Sequence, residues 1–154
     1  MLNLKKLLKA QSILLPKEVL VLGIIFALVG FVDATYLTVA HYANFIPPCS
    51  IGGCEVVTTS SYSVILGVPL ALIGALYYLF ILVMFVHHID KRILWPIQVI
   101  SWVTTLGVIG YLYLFYVQVG ILKAICIYCM LSSAMTALLC ATISSMLWTL
   151  ESKK

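Results

Sequence analysis

Apolar residues along this chain gather into four long runs. They lie near Val19–Ala40, Val64–Val86, Ile93–Val117 and Ala124–Trp148, each at or above the roughly 20 residues a helix needs to cross a bilayer. Helices are expected there, because an open strand edge leaves backbone groups unpaired in lipid. Ahead of the first run, Leu4, Leu7 and Leu8 alternate with Lys5, Lys6 and Lys9 at helical spacing. Residues 1–17 therefore read as an amphipathic helix on the membrane surface. The expected fold is an all-α membrane protein, a four-transmembrane-helix bundle forming one domain over residues 1–154. The N-terminal interfacial helix precedes it, and a loop joins the first two spans on the outer side.

Composition supports that class. Of 154 residues, 64% are hydrophobic and 9% charged, and the mean hydropathy is +1.17. Disorder needs the opposite balance, and a water-soluble globule would lack polar side chains to coat it. The net charge of +4 is scattered along the chain, so no nucleic-acid partner is expected.

Charge also sets the orientation. Lys5, Lys6, Lys9, Lys17, Lys91, Arg92, Lys153 and Lys154 all fall on one side of the predicted spans, and Lys123 on the other. By the positive-inside rule, both termini and the His87–Arg92 turn are expected in the cytoplasm, the spans in a plasma (inner) membrane. The Tyr42–Ser63 loop and the Gly120–Lys123 segment then face outward. Trp95 and Trp148 land at the inner interface, where indoles prefer to sit, and His87 and His88 read as solvated turn residues. The first run is too long for a signal-peptide core, and Thr38-Val39-Ala40 is a poor cleavage site, so it reads as a retained span.

Five cysteines change the picture. Cys49 and Cys54 lie in the outward loop, in Pro47-Pro48-Cys49-Ser50-Ile51-Gly52-Gly53-Cys54. Cys126 and Cys129 open the fourth span as Cys126-Ile127-Tyr128-Cys129. Both pairs thus face the side that is oxidising if the membrane is a bacterial plasma membrane. Residues three apart on a helix share a face, and a first helical turn favours negative charge. Thiol pKa values fall in such positions, and Cys126, nearer the start, is expected to be the more acidic. Gly52 and Gly53 let the loop turn back so that Cys49 and Cys54 can bond, and an exposed small-ring disulfide is exchangeable. Thiol exchange is the favoured reading. Two structural bridges, or four thiolates holding zinc, are the alternatives. Cys140, deep in the fourth span, reads as a small hydrophobe.

Exchange between two dithiols needs a final electron acceptor. No nucleotide or flavin fingerprint is present, so a lipid-soluble quinone is the economical choice. Tyr36, Tyr111, Tyr113, Phe115, Tyr116 and Tyr128 fall in the outer half of the membrane and could wall its site, although aromatic residues also form interfacial belts. Asp33, about two turns inside the first span, is either a proton donor acting with Tyr36 or a helix-packing carboxyl. His41 is a weaker relay candidate.

In these residues the chain resembles the vitamin K epoxide reductase family in its short bacterial or archaeal form. The matching parts are the Asp33–His41 run with Tyr36-Leu37-Thr38, Cys49 and Cys54, Thr59-Ser60, Gly67-Val68-Pro69-Leu70-Ala71-Leu72-Ile73-Gly74 and the Cys126–Cys129 motif. The resemblance implies electrons entering from a reduced thioredoxin-like partner through Cys49, passing from Cys54 to Cys126, and reaching a quinone (menaquinone, ubiquinone or phylloquinone type) at Cys129. It also implies catalytic roles for Cys49, Cys54, Cys126, Cys129 and Ser60; beside them the residues themselves offer Asp33 as a catalytic proton donor and Cys129, Tyr36, Tyr116 and Tyr128 as quinone contacts. Ser60 would help hold the active-site region. Pro69 would bend the second helix and open room for a ring. Ser133 stands where the animal enzymes carry a quinone-contacting Tyr, and Leu70 lies near the position of their Asn, which favours plain quinone reduction over epoxide reduction. No thioredoxin-like domain follows, so the partner is expected to be a separate extracytoplasmic protein. The function implied is a membrane thiol–quinone oxidoreductase supporting disulfide formation. Reduction of a quinone or its epoxide is the nearest alternative, and a metal-binding or metal-transport protein the alternative of another class.

Overall fold

The computed structural model describes residues 17–49 and 53–152. The interfacial helix expected at the N-terminus lies outside the described residues, apart from Lys17. Helix α1 runs Lys17–Tyr42. A short helix α2, Cys54–Thr58, and a 3₁₀ turn, Ser61–Ser63, follow in the loop. Strands β1 (Val64–Ile65) and β2 (Val68–Pro69) pair antiparallel, and α3 spans Leu70–Lys91. Helix α4 covers Trp95–Tyr116 and continues as a π-helical turn, Val117–Leu122. Helix α5 is Ile127–Ser152. The stretches Lys17–Tyr42, Leu70–Lys91, Trp95–Leu122 and Ile127–Ser145 are long and apolar enough to cross a bilayer. The chain is a multi-pass membrane protein built as an all-α four-helix bundle.

Lipid tails are as apolar as leucine, so packing rather than water exclusion must hold such helices together. Gly23, Ala27, Gly30 and Ala34 supply that packing on one face of α1. A methyl at Gly23 would lie 2.7 Å from the Phe85 ring, and one at Gly30 would overlap Tyr78. These small residues let α3 lay its aromatic rings directly on the α1 backbone. Helix α5 packs on α1 and α4, closing the bundle. Ile81, Phe85, Ile97, Ile100, Leu139 and Ile143 are fully buried between the helices. Val32, Trp102 and Leu106 point outward and are mostly exposed, as lipid-facing residues should be.

Three expectations need correction. The second helix begins at Leu70, not near Val64. Leu66 and Gly67, both at positive φ, close a hairpin over Val64–Pro69, as a two-residue turn requires. Pro69 therefore does not bend a helix. It caps one, at φ −60°, where its missing N–H costs nothing. His88 is not solvated: it is fully buried within α3, and its Nδ1 lies 2.6 Å from the Ile93 carbonyl across the turn into α4. Beyond α4, the π turn runs to Leu122 and Lys123 ends it at φ 51°.

Candidate functional site

All four motif cysteines meet at one end of the bundle. Cys49 and Cys54 form a disulfide, with Cα atoms 5.9 Å apart, while Cys126 and Cys129 are free thiols. Cys54 and Cys126 are fully buried in one cluster with Val57, against which Cys49 and Cys129 pack. Cys49 is partly exposed. Among the described residues, no group of three His, Cys, Asp or Glu side chains is placed to hold a metal ion.

Gly53 explains how loop and helix come so close. Its backbone is right-handed helical, φ −99° and ψ −12°, so any residue could adopt it. Space is the constraint: a methyl there would overlap the Ile125 carbonyl and lie 2.7 Å from the Ile125 nitrogen. The backbone at Gly53 therefore packs directly against the backbone of Ile125. Tyr128 fixes the other arm of the loop, its hydroxyl donating to the Pro48 carbonyl at 3.0 Å.

Cys126 stands just ahead of α5, and its sulfur accepts the Cys129 N–H at 3.3 Å, as an N-capping side chain does. The Cys129 side chain, against the penalty of burial and with help from the Cys129 and Tyr128 N–H groups, holds the Cys126 thiol below its ordinary pKa. The Cys126 N–H donates to Gln118 Oε1 at 2.9 Å, and the Ala124 N–H donates to the Gln118 carbonyl. Gln118 is 4% exposed. Sequence reasoning passed over it, although a lone amide in the run Tyr116-Val117-Gln118-Val119 was the available signal.

Beneath the cysteines lies a mostly apolar cavity of about 310 Å³ enclosed by all four long helices, at the small end of the range for ligand pockets. Cys129, Ser132 and Ser133 line it from α5, Leu70, Gly74 and Tyr77 from α3, and Gly107, Tyr111 and Gln118 from α4. Ser60 lines its mouth, with its hydroxyl bonded to the Val57 carbonyl at 2.8 Å. Such a volume, apolar and bordered by a thiol, fits a flat quinone ring, and Cys129 is the sulfur that reaches it.

Asp33 is buried behind this wall and accepts a 2.5 Å hydrogen bond from the Ser132 hydroxyl. Tyr78 donates to the Ser132 carbonyl at 2.5 Å and lies 2.8 Å from the Thr136 hydroxyl. Three helices are tied together by this network. The candidate tyrosines divide. Tyr111 lines the cavity, whereas Tyr36 stacks on Tyr128 and Phe45 beside the loop. Tyr113 and Tyr116 are more than 60% exposed on α4. Ser133 donates to the Cys129 carbonyl one turn back, and Cys140 lies 3.6 Å from the Thr105 hydroxyl, away from the other cysteines.

Comparison with individually curated proteins found no match. The profile of the vitamin K epoxide reductase family matches residues 21–144, a stretch containing all five cysteines and the whole cavity wall. The chain therefore belongs to the vitamin K epoxide reductase family, membrane oxidoreductases that link thiols to quinones.

Proposed function

We propose that this protein oxidises a separate thioredoxin-like partner on the extracytoplasmic side of the plasma membrane and passes the electrons to a membrane quinone. One observation carries the reading: Cys54 and Cys126 are fully buried together, between a partly exposed Cys49 and a Cys129 that borders the cavity. A partner thiolate attacks Cys49, the Cys49–Cys54 bond breaks, and Cys54 leaves as a thiolate. The partner's second thiol then frees Cys49 and completes the partner's disulfide. Cys54 next attacks Cys126 of an oxidised Cys126–Cys129 pair, and Cys129 leaves. Attack of Cys49 on Cys54 restores the loop disulfide and leaves a Cys126–Cys129 dithiol, the combination of states seen here. That dithiol gives two electrons and two protons to the quinone and closes to a disulfide.

Asp33 touches the cavity wall through Ser132, which suits it to proton movement between buried thiols and ring. Ser60 braces the loop at the mouth. Lys17, Lys91 and Arg92 lie at the end opposite the cysteines, which supports an extracytoplasmic cysteine end. The Ser133 hydroxyl is spent on its own helix, which favours plain quinone reduction over epoxide chemistry.

Trapping tests the relay. With Cys129 replaced by Ala, a Cys54–Cys126 mixed disulfide should accumulate under oxidising conditions and appear as a cross-linked peptide in mass spectrometry. Its absence removes the relay. In cells lacking their own quinone-coupled disulfide generator, the wild type should restore oxidative folding, and neither Cys126→Ala nor Cys129→Ala should.

A further inference from the structure

Among the described residues lining the cavity, one buried side-chain polar atom has no hydrogen-bond partner. Tyr77 lines the chamber from α3, and its hydroxyl oxygen is buried without a hydrogen-bond partner. A buried, unpaired hydroxyl costs free energy, so its place calls for an explanation. The neighbouring Thr136 hydroxyl is bonded to Tyr78 at 2.8 Å and makes no hydrogen bond to the Tyr77 hydroxyl.

The surroundings make room for this hydroxyl. Gly107 on α4 faces it so closely that a methyl there would lie 2.6 Å from Tyr77 Oη and 3.0 Å from the Thr136 methyl. The missing Cβ leaves the phenol's oxygen inside the chamber, not pressed out of it. Tyr77 and Thr136 also lie deeper in the bundle than Cys129. Thr136 is two turns further along α5, about 10 Å of helix rise. That separation suits a ring carrying two opposed oxygens, one near the Cys129 sulfur and the other near the tyrosine.

We propose that the Tyr77 hydroxyl donates the hydrogen bond that holds the distal carbonyl oxygen of a 1,4-quinone in this cavity. The inference rests on the quinone reading above and adds the group that orients the ring. A phenol proton at the distal oxygen anchors the ring with its other end towards the thiol. It also stabilises the negative charge that grows on that oxygen as electrons arrive. Leu70, two turns earlier on the same helix, is apolar, so Tyr77 supplies polar recognition that the α3 start does not.

Tyr77→Phe tests this, with a short-tailed 1,4-naphthoquinone as probe and fully oxidised protein so that no electrons flow. Three readouts are needed. The ligand-free melting temperature should hold or rise, because an unpaired hydroxyl has been removed. Quinone affinity should fall about five-fold, as for loss of one neutral hydrogen bond. One carbonyl band of the bound probe should move to higher frequency in infrared difference spectra. The proposal is overturned if the variant binds as tightly as the wild type with an unshifted band. It is equally overturned if the ligand-free melting temperature drops by several degrees, since the hydroxyl would then have a partner within the protein. Failure of the wild type itself to bind or reduce the probe would instead remove the quinone reading on which this rests.

Discussion

The two ends of the bundle solve the same packing problem in opposite ways. Away from the cysteines, Gly23 seats Phe85, and Ile97, Ile100 and Ile143 fill what remains with no exposed surface. Towards the cysteines, the same face of α1 continues with Gly30 under Tyr78 and with Ala34, but the space between helices is left open as the cavity. Polar groups there satisfy one another, Asp33 with Ser132, Tyr78 with Ser132 and Thr136, and Gln118 with Cys126. Apolar packing gives one end its rigidity. The other keeps a chamber because hydrogen bonds between helices replace the missing contacts, each worth about 0.6 kcal/mol inside a membrane.

The contrast can be tested from both sides. The largest effect should come from Cys129→Ala, which ought to reduce thiol-dependent quinone reduction to the uncatalysed background in a spectrophotometric assay while leaving the fold intact. Next is Gly53→Ala. Its methyl must push the loop off Ile125, and displacement near 1 Å costs about 100-fold in rate. Turnover with a thioredoxin-like donor should fall by that order, with direct reduction of the quinone by the Cys126–Cys129 dithiol much less affected. At the packed end, Gly23→Ala should cost about 1–3 kcal/mol of stability, an overpacking penalty, seen as a lower melting temperature in detergent. Activity per folded molecule should not change. A comparable loss of turnover in Gly23→Ala would erase the distinction between the ends.

The smallest effect concerns pH. Because Cys126 titrates below the ordinary thiol range, chiefly through the Cys129 side chain, its thiolate should persist to lower pH than a free cysteine's. Thiolate absorbance should track it, falling as pH drops through that lowered pKa. Cys129→Ala removes the main cause and should move the midpoint upward.

Much of this was legible in the chain. Four spans and two cysteine pairs at one end follow from hydropathy, basic residues and spacing, because membrane helices must be long and apolar. Val64–Pro69 misled because a β-branched apolar run reads the same in a hairpin as in a helix, and Leu66 is not a usual residue at positive φ. His88 misled because two adjacent histidines at a turn look solvated, while helical rotation buries one of them. In the sequence Gly53 reads as a flexible turn residue, yet what it provides is clearance from Ile125. Neither that clearance nor the unpartnered hydroxyl of Tyr77 leaves any periodic trace, since both depend on which backbone lies opposite.

Burial where the two cysteine pairs meet would also work as insulation in the proposed relay. Cys49 keeps partial exposure at the loop and Cys129 at the cavity, while Cys54 and Cys126 between them are sealed at 0% exposure. A conductor bared only at its ends does not short-circuit to its surroundings. In the proposed relay a molecule must dock on the loop and hold a sulfur against Cys49 to draw current through it, so the sheath would set selectivity among thiols before any chemistry begins.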